Sequence, residues 1–205
     1  MTIQIEKTTS SRLATLDFSA IEFGNVFSDH LFRQEWKDGT WQDPTIIPHQ
    51  SIALSPAALG LHYGQVVFEG LKAYRGTHDN VIRLFRPDRN AKRLQESCER
   101  LCIPTVTTDD FLGAVGTLAS LEQDWVPPSR LQTLYLRPIL FGSEGHLAVR
   151  PAQTYEFLIL AAPVSEYFDR EGPGISLKAE DRFTRAAPGG MGAAKTGGNY
   201  AATLR

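Results

Sequence analysis

The sequence predicts a fold of the α/β or α+β class, built on a mostly antiparallel sheet that carries two helices. Three observations lead to this prediction. Short β-branched and aromatic segments flank glycine-containing turns, two stretches repeat apolar residues at helical spacing, and two apolar runs have the length of strands. The chain has 205 residues, 42% hydrophobic and 21% charged, so it can bury a substantial core.

Composition argues against several classes of function. With 21 basic and 23 acidic residues, the net charge is −2, which gives no general attraction to nucleic acid. The longest apolar run, 157–164, is far shorter than the roughly 20 residues of a membrane-spanning helix. The first residues lack signal-peptide character, and two cysteines do not make a disulfide framework. We therefore expect a cytoplasmic protein that binds neither nucleic acid nor membrane.

The first third of the chain predicts an arm and two hairpins. Residues 1–22 are polar and mixed, which predicts a loosely packed arm with one short strand. A hairpin is expected over 32–41, because Asp38 and Gly39 suit a turn whose central residues have positive φ. A second hairpin is expected over 64–86, where apolar and polar residues alternate in the final strand.

A helix follows the second hairpin. Pro87 opens it, and Asp88 or Asn90 can cap the free N–H groups of its first turn. Its apolar stripe includes Cys98 and Cys102, four residues apart. This pattern predicts two buried, reduced cysteines and no metal site, since no further Cys or His lies close to them in sequence.

A second helix is predicted over 109–126, and the two consecutive prolines directly after this range stop it. Strands are expected over 133–140 and 155–162, and the second is so apolar that both its faces should be covered. A new strand is expected over 175–179, after a polar connection rich in glycine and proline.

These elements suggest two domains, with a boundary in the polar connection. Residues 1–168 would form a smaller N-terminal domain and 169–174 an interdomain linker. Residues 175–205 would begin a larger domain.

The segment from Ala187 to Gly198 differs from the rest, with five glycines and three alanines around Lys195. Small residues allow a backbone to approach something bulky and flat. A flexible loop would contain more Ser, Asn and Asp. Lys195 and Thr196 match the end of a phosphate-binding P-loop, but Ala194 stands where that motif needs glycine, and the segment lies near the end of the chain.

A lysine that forms a Schiff base is the other interpretation. Only the neutral amine attacks an aldehyde, and apolar neighbours favour the neutral form. Pyridoxal phosphate supplies such an aldehyde and acts as an electron sink. Small residues beside Lys195 would leave room for its ring.

Five blocks of this sequence resemble those of the branched-chain aminotransferases, which are fold-type-IV pyridoxal-phosphate enzymes. The blocks are LHYG (61–64), VFEGLKAY (67–74), LFRP (84–87) with Asn90 and Arg93, LYLRP (134–138) and GGMGAAKTGGNY (189–200). They occur in the family's order and extend over nearly the whole chain.

The resemblance implies roles for particular residues. Lys195 would bind the pyridoxal 5′-phosphate cofactor and move the substrate proton, Arg93 would hold its phosphate, Tyr200 its phenolic oxygen, and Arg185 would lie nearby. Tyr135 and Arg137 lie two apart on a strand, so they share one face, and a polar aromatic beside a cation suits a carboxylate. The residues that would line the substrate pocket with them are Tyr63, Phe68 and Tyr167.

The resemblance also implies an activity and partners. The reaction would be transamination between Leu, Ile or Val and 2-oxoglutarate, in a homodimer with the active site between its domains. Members of the family continue beyond the end of this sequence, so we expect the 205 residues alone to be inactive. The alternatives are a D-amino acid aminotransferase, an aminodeoxychorismate lyase, a P-loop-like nucleotide binder and a non-catalytic fragment that only dimerises. The blocks at 67–74 and 135–137 argue against the first two.

Overall fold

The computed structural model describes residues 2–166, 174–201 and 203–204, and it confirms an α+β architecture built on one mixed sheet. Its strands are β1 Gln4–Ile5, β2 His30–Lys37, β3 Thr40–Trp41, β4 Thr45–Pro48, β5 Val66–Phe68, β6 Leu71–Arg75, β7 Ile82–Leu84, β8 Thr133–Gly142 and β9 Tyr155–Val164. Their order is β1-β4-β2-β9-β8-β6-β7, with β3 on β2 and β5 on β8. Within these residues β1 and β4 pair in parallel, and the other pairs are antiparallel.

Both predicted hairpins form, but the second has a divided first strand. Asp38 and Gly39 have φ of 54° and 78° in the turn between β2 and β3, as the Asp-Gly pair predicts. In the second hairpin β6 pairs with β7, whereas β5 and β6 are separated by Glu69 and Gly70 and both pair with β8. This break brings side chains of a neighbouring helix close to the strand edge.

The helices are α1 Leu59–Tyr63, α2 Pro87–Arg100, α3 Thr108–Leu121 and α4 Gly198–Ala201. The predicted cap of α2 is wrong: Pro87 is the first helical residue, a position where its missing N–H costs nothing, so Asp88 and Asn90 lie inside the helix. Thr107 caps α3 by accepting from the Asp110 N–H at 3.1 Å. That helix ends earlier than predicted, and a 3-10 turn, Gln123–Trp125, follows it.

The two faces of the sheet differ. Along β8, Leu134 and Leu136 are fully buried in a core shared with apolar residues of α2 and α3, whereas Tyr135 and Arg137 on the opposite face are half-buried. β9 is buried on both faces, as predicted. The helices thus cover one face of β8 and leave polar groups on the other.

The two cysteines do not share a buried stripe. Cys98 is fully buried in the core, and burial raises the pKa of its thiol to about 12. Cys102 is exposed, because α2 ends at Arg100 and Cys102 has a φ of 54° beyond it. The apolar residues at helical spacing therefore continue in the sequence beyond the residue at which the helix ends.

The strand expected over 175–179 is absent from the structure. These residues are exposed and have no neighbouring strand to pair with in the part of the chain that the structure describes. Most of the linker expected at 169–174 lies outside the described residues, and the division into two domains stays a prediction. Among the described residues, none of the helices has the length and apolar content needed to cross a membrane.

The N-terminal arm is anchored rather than loosely packed, although its predicted short strand forms as β1. The carboxylate of Asp29 accepts hydrogen bonds from the Ser11 hydroxyl at 2.5 Å and the Arg12 N–H at 3.0 Å. The Thr8 N–H donates to Nε2 of the buried His30 at 2.9 Å. Buried polar groups at the start of β2 therefore fix the arm.

We predict that His49 makes the folded chain less stable in acid. Its ring stacks on Phe27, with centroids 4.9 Å apart, and burial, followed by the charge of Arg12, lowers the pKa of His49 below 6.5. A lowered pKa favours the neutral ring. Its stabilising contribution is therefore fully present above the pKa that histidine has in the unfolded chain, and it is lost as the pH falls from there toward the pKa in the folded chain. Urea unfolding of His49→Gln between pH 8 and pH 5 should show a smaller loss of stability than the unsubstituted chain shows. Equal losses would contradict this.

Candidate active site

The lysine-containing segment lies along the free edge of β5. The Phe68 N–H donates to the Lys195 carbonyl at 3.0 Å, and Thr196 forms an antiparallel bridge with Val67. The hydroxyl of Thr196 donates to the Val66 carbonyl at 2.7 Å. Backbone pairing thus fixes the position of Lys195 relative to the sheet.

Small residues permit this close approach, as the sequence suggests. A Cβ on Gly197 would lie 3.2 Å from a methyl carbon of Val66. The buried amide of Asn199 donates to the carbonyls of Met191 and Ala194, which holds the segment in shape. The P-loop interpretation fits poorly, because the hydroxyl that would face a metal is bonded to a carbonyl.

The amine of Lys195 lies among aromatic rings. Its Nζ donates to the Tyr200 hydroxyl at 2.8 Å and is 4.5 Å from the ring centroid of Phe68. The rings of Phe68 and Tyr200 are 5.1 Å apart. The structure therefore places Phe68 and Tyr200, two of the predicted site residues, beside the amine of a third, Lys195.

Arg93 is held by a fully buried carboxylate. Nε and Nη2 of Arg93 donate to the two oxygens of Glu69 at 2.5 and 2.8 Å, and Glu69 also accepts from the Asn90 amide and the Gly70 N–H. This fork leaves Nη1 of Arg93 without a hydrogen-bond partner among the described residues, and the side chain is 52% exposed. One edge of the guanidinium is therefore oriented and open to an anion.

The electrostatic surroundings of Arg93 agree with this arrangement. The hydrogen bonds to Glu69 are the chief reason that the pKa of Arg93 is raised, against a smaller opposing effect of burial. The charge of Glu69 and the phenols of Tyr200 and Tyr135 raise it further. Arg93 thus stays cationic beside the residues that surround Lys195.

Tyr135 and Arg137 share one face of β8, as predicted. Nη2 of Arg137 donates to the Tyr135 hydroxyl at 3.0 Å, and the guanidinium lies 4.8 Å from the ring centroid of Phe68. Nε of Arg137 is buried and donates to no acceptor within residues 2–166, 174–201 and 203–204. A buried donor without a partner suits an oxygen atom of a ligand.

The structure adds residues that the sequence did not indicate. Phe23 packs edge-to-face on Tyr135 with centroids 5.3 Å apart, and the two line a small cavity of about 240 Å³ with Leu160 and Ala162. The pairing register of β8 and β9 would have identified Leu160 and Ala162, because they lie opposite Arg137 and Tyr135. Phe23 had no such signal, because it lies in the irregular segment between the arm and β2.

Two of the predicted site residues that the structure describes are not placed beside the amine. Tyr63 and Arg185 line a different, open cleft of about 710 Å³, and the Tyr63 hydroxyl donates to the Leu147 carbonyl. Lys195 does not line that cleft in the described part of the chain. Tyr167 lies outside the described residues. The roles of these three residues remain predictions.

Known branched-chain aminotransferases resemble this chain in sequence and in fold. No protein-family model matches the chain. Branched-chain-amino-acid aminotransferase 2 of Bacillus subtilis (strain 168) is 42% identical over 205 residues, which is 100% of this chain and 56% of that protein. The crystal structure of the branched-chain aminotransferase of Thermoproteus uzoniensis with norvaline has a TM-score of 0.64 at 22% identity, over 83% of this chain and 53% of that one.

A third relative is a branched-chain amino acid aminotransferase solved as a complex with N-(5′-phosphopyridoxyl)-L-glutamate. It has a TM-score of 0.57 at 26% identity, over 83% of this chain and 52% of that one. The fold is therefore that of the fold-type-IV aminotransferases. The chain is related along its length to the branched-chain aminotransferases, which confirms the resemblance in its motifs. It spans about half the length of the curated relatives it matches.

We predict that Gly70→Ala disturbs the Tyr135 position. A Cβ on Gly70 would lie 2.0 Å from the Tyr135 hydroxyl, so the phenol must move away from its bond with Arg137. Such overpacking costs about 1–3 kcal/mol of unfolding free energy, measurable by urea unfolding.

Gly116→Ala is the matched control. Gly116 lies within α3 and a Cβ there would meet nothing within 4 Å, so alanine should stabilise the chain by about 0.5–1 kcal/mol. If the two substitutions had equal effects, the packing assigned to Gly70 would be wrong.

Proposed function

We propose that this chain is part of a pyridoxal-phosphate-dependent aminotransferase that moves an amino group between Leu, Ile or Val and 2-oxoglutarate, with Lys195 holding the cofactor. One observation carries the proposal: Nζ of Lys195 donates to the Tyr200 hydroxyl beside the Phe68 ring, on a backbone fixed to β5. The names of the relatives support the substrate class, and the phosphopyridoxyl-glutamate bound to the third relative supports the glutamate half of the reaction.

The donor set fits pyridoxal phosphate. The cofactor brings an aldehyde, a phenolic oxygen and a phosphate, and when bound it supplies an electron sink for the substrate carbanion. Lys195 offers the amine, Tyr200 a hydroxyl 2.8 Å from it, and Arg93 an open guanidinium edge for phosphate. In its neutral form Lys195 can take a proton from a bound substrate and return it.

The same face of the sheet offers two kinds of substrate contact. Phe68, Phe23 and Leu160 present apolar surface, which suits a branched aliphatic side chain. Nε of Arg137, which has no hydrogen-bond partner in the described part of the chain, suits a carboxylate oxygen. A site with both features can accept a branched-chain amino acid and glutamate in turn.

We also propose that the protein acts as a cytoplasmic homodimer in branched-chain amino acid metabolism. Around α1 and the loop after β8, four large apolar side chains stand between 43% and 81% exposed: Leu61, Tyr63, Leu147 and Val149. Contiguous exposed apolar residues are typical of protein interfaces. A second copy of this chain is the occupant we expect there.

We predict that borohydride attaches the cofactor to Lys195. The protein at full length should absorb in the visible range with pyridoxal phosphate, and reduction followed by peptide mapping should find the pyridoxyl group on Lys195. Lys195→Arg should remove both the label and the transamination of leucine with 2-oxoglutarate. A label on Lys72, Lys92 or Lys178 would refute the assignment.

We predict that Arg93→Lys weakens cofactor binding more than it weakens folding. Lysine keeps the charge beside buried Glu69 but loses the planar fork. The dissociation constant for pyridoxal phosphate should rise roughly 10- to 100-fold, as expected for a lost charge-assisted contact. Arg89→Lys, on the exposed side of the same helix, is the control and should leave binding unchanged. Unchanged affinity in Arg93→Lys would assign Arg93 to the helix surface alone.

A further inference from the structure

We propose that Ser97 is a positioning residue that couples the phosphate end of the site to its amine end. The proposal rests on the proposed function, since it concerns the residues assigned to those two ends, Arg93 and Lys195. Ser97 itself contacts neither the cofactor nor the substrate in this account. It acts through the backbone of the lysine.

The hydroxyl of Ser97 makes two hydrogen bonds in a buried place. It donates to the Arg93 carbonyl at 2.8 Å, one turn earlier in α2, and accepts from the Lys195 N–H at 2.9 Å. Ser97 is only 1% exposed, so water does not compete for either bond. Because its single proton is committed to Arg93, the hydroxyl has one orientation, with a lone pair toward Lys195.

These bonds complete a chain of contacts between the two ends. Glu69 orients the Arg93 guanidinium, the Arg93 carbonyl orients the Ser97 hydroxyl, and that hydroxyl fixes the Lys195 N–H. The backbone anchors from Lys195 to Phe68 and from Thr196 to β5 tie the same segment to the sheet. Ser97 links it to the helix that carries the phosphate residue.

Loss of the Ser97 link should change the geometry of the site rather than the stability of the fold. Attachment of an aldehyde to Nζ forms a carbon–nitrogen double bond and releases one water, and it requires the amine at a set distance from the bound phosphate. A ligand with the same phosphate and ring but an amine in place of the aldehyde needs no bond to Lys195. Loss of the link should therefore weaken the first ligand selectively.

The test compares pyridoxal phosphate with pyridoxamine phosphate on the protein at full length. Ser97→Ala should raise the dissociation constant for pyridoxal phosphate about tenfold, because the Lys195 N–H loses its acceptor. The dissociation constant for pyridoxamine phosphate should change by less than about twofold, as for sites away from the ligand. Both are measured by equilibrium titration, independently of turnover.

Cys98→Ala is the matched control. Cys98 is the next residue of α2, it is fully buried, and its loss likewise removes one heavy atom. It should destabilise the protein without changing the ratio of the two dissociation constants. Ser97→Thr keeps the hydroxyl and should keep that ratio, and if Ser97→Ala does not fold, Ser97→Cys should give an intermediate ratio.

Several outcomes would overturn the proposal. Equal loss of both ligands in Ser97→Ala, an unchanged ratio, or the same change of ratio in Cys98→Ala would leave Ser97 a structural residue. A protein that bound neither ligand before substitution would refute the proposed function and the coupling with it. Strong binding with an unchanged ratio would refute the coupling alone.

Discussion

The arrangement of the site depends on one backbone interaction, the pairing of the lysine segment with the edge of β5. The lysine segment pairs with the edge of β5 through the bridge between Thr196 and Val67 and the hydrogen bond from Phe68 to Lys195. These contacts hold the segment against the sheet. A lysine on a free loop would lose conformational entropy each time it bound a ligand. Here the backbone is already ordered, so only the side chain has to settle.

A second constraint is the break between β5 and β6. At Glu69 and Gly70 the strand is interrupted, and the fully buried carboxylate of Glu69 turns toward α2. A buried carboxylate is costly unless it is paired, and Arg93, Asn90 and the Gly70 N–H supply that pairing. The same break leaves room for the Tyr135 hydroxyl, which a side chain at Gly70 would displace. The residues that stabilise this break are therefore also the ones to which we assign ligand recognition.

Sequence alone predicted the elements whose signals are local. The Asp38-Gly39 turn, the alternation along β7 and the apolar run of β9 each indicate their structure directly, and the shared face of Tyr135 and Arg137 follows from strand geometry. Contacts between distant segments had no local signal. Nothing in the local sequence distinguishes Ser97 from other helix residues, and Phe23 acquires a role only through the path of the chain between the arm and β2. The strand expected at 175–179 failed because an apolar pattern cannot supply the partner strand that it needs.

The most direct test of this account is a crystal structure of the protein at full length with pyridoxal phosphate. We expect continuous density from Nζ of Lys195 to the cofactor, with the Lys195 carbonyl still accepting from the Phe68 N–H. We also expect the phosphate to lie against Arg93, whose guanidinium keeps its two hydrogen bonds to Glu69. A structure in which the lysine segment lies away from β5, or in which Arg93 points away from the phosphate, would contradict the account.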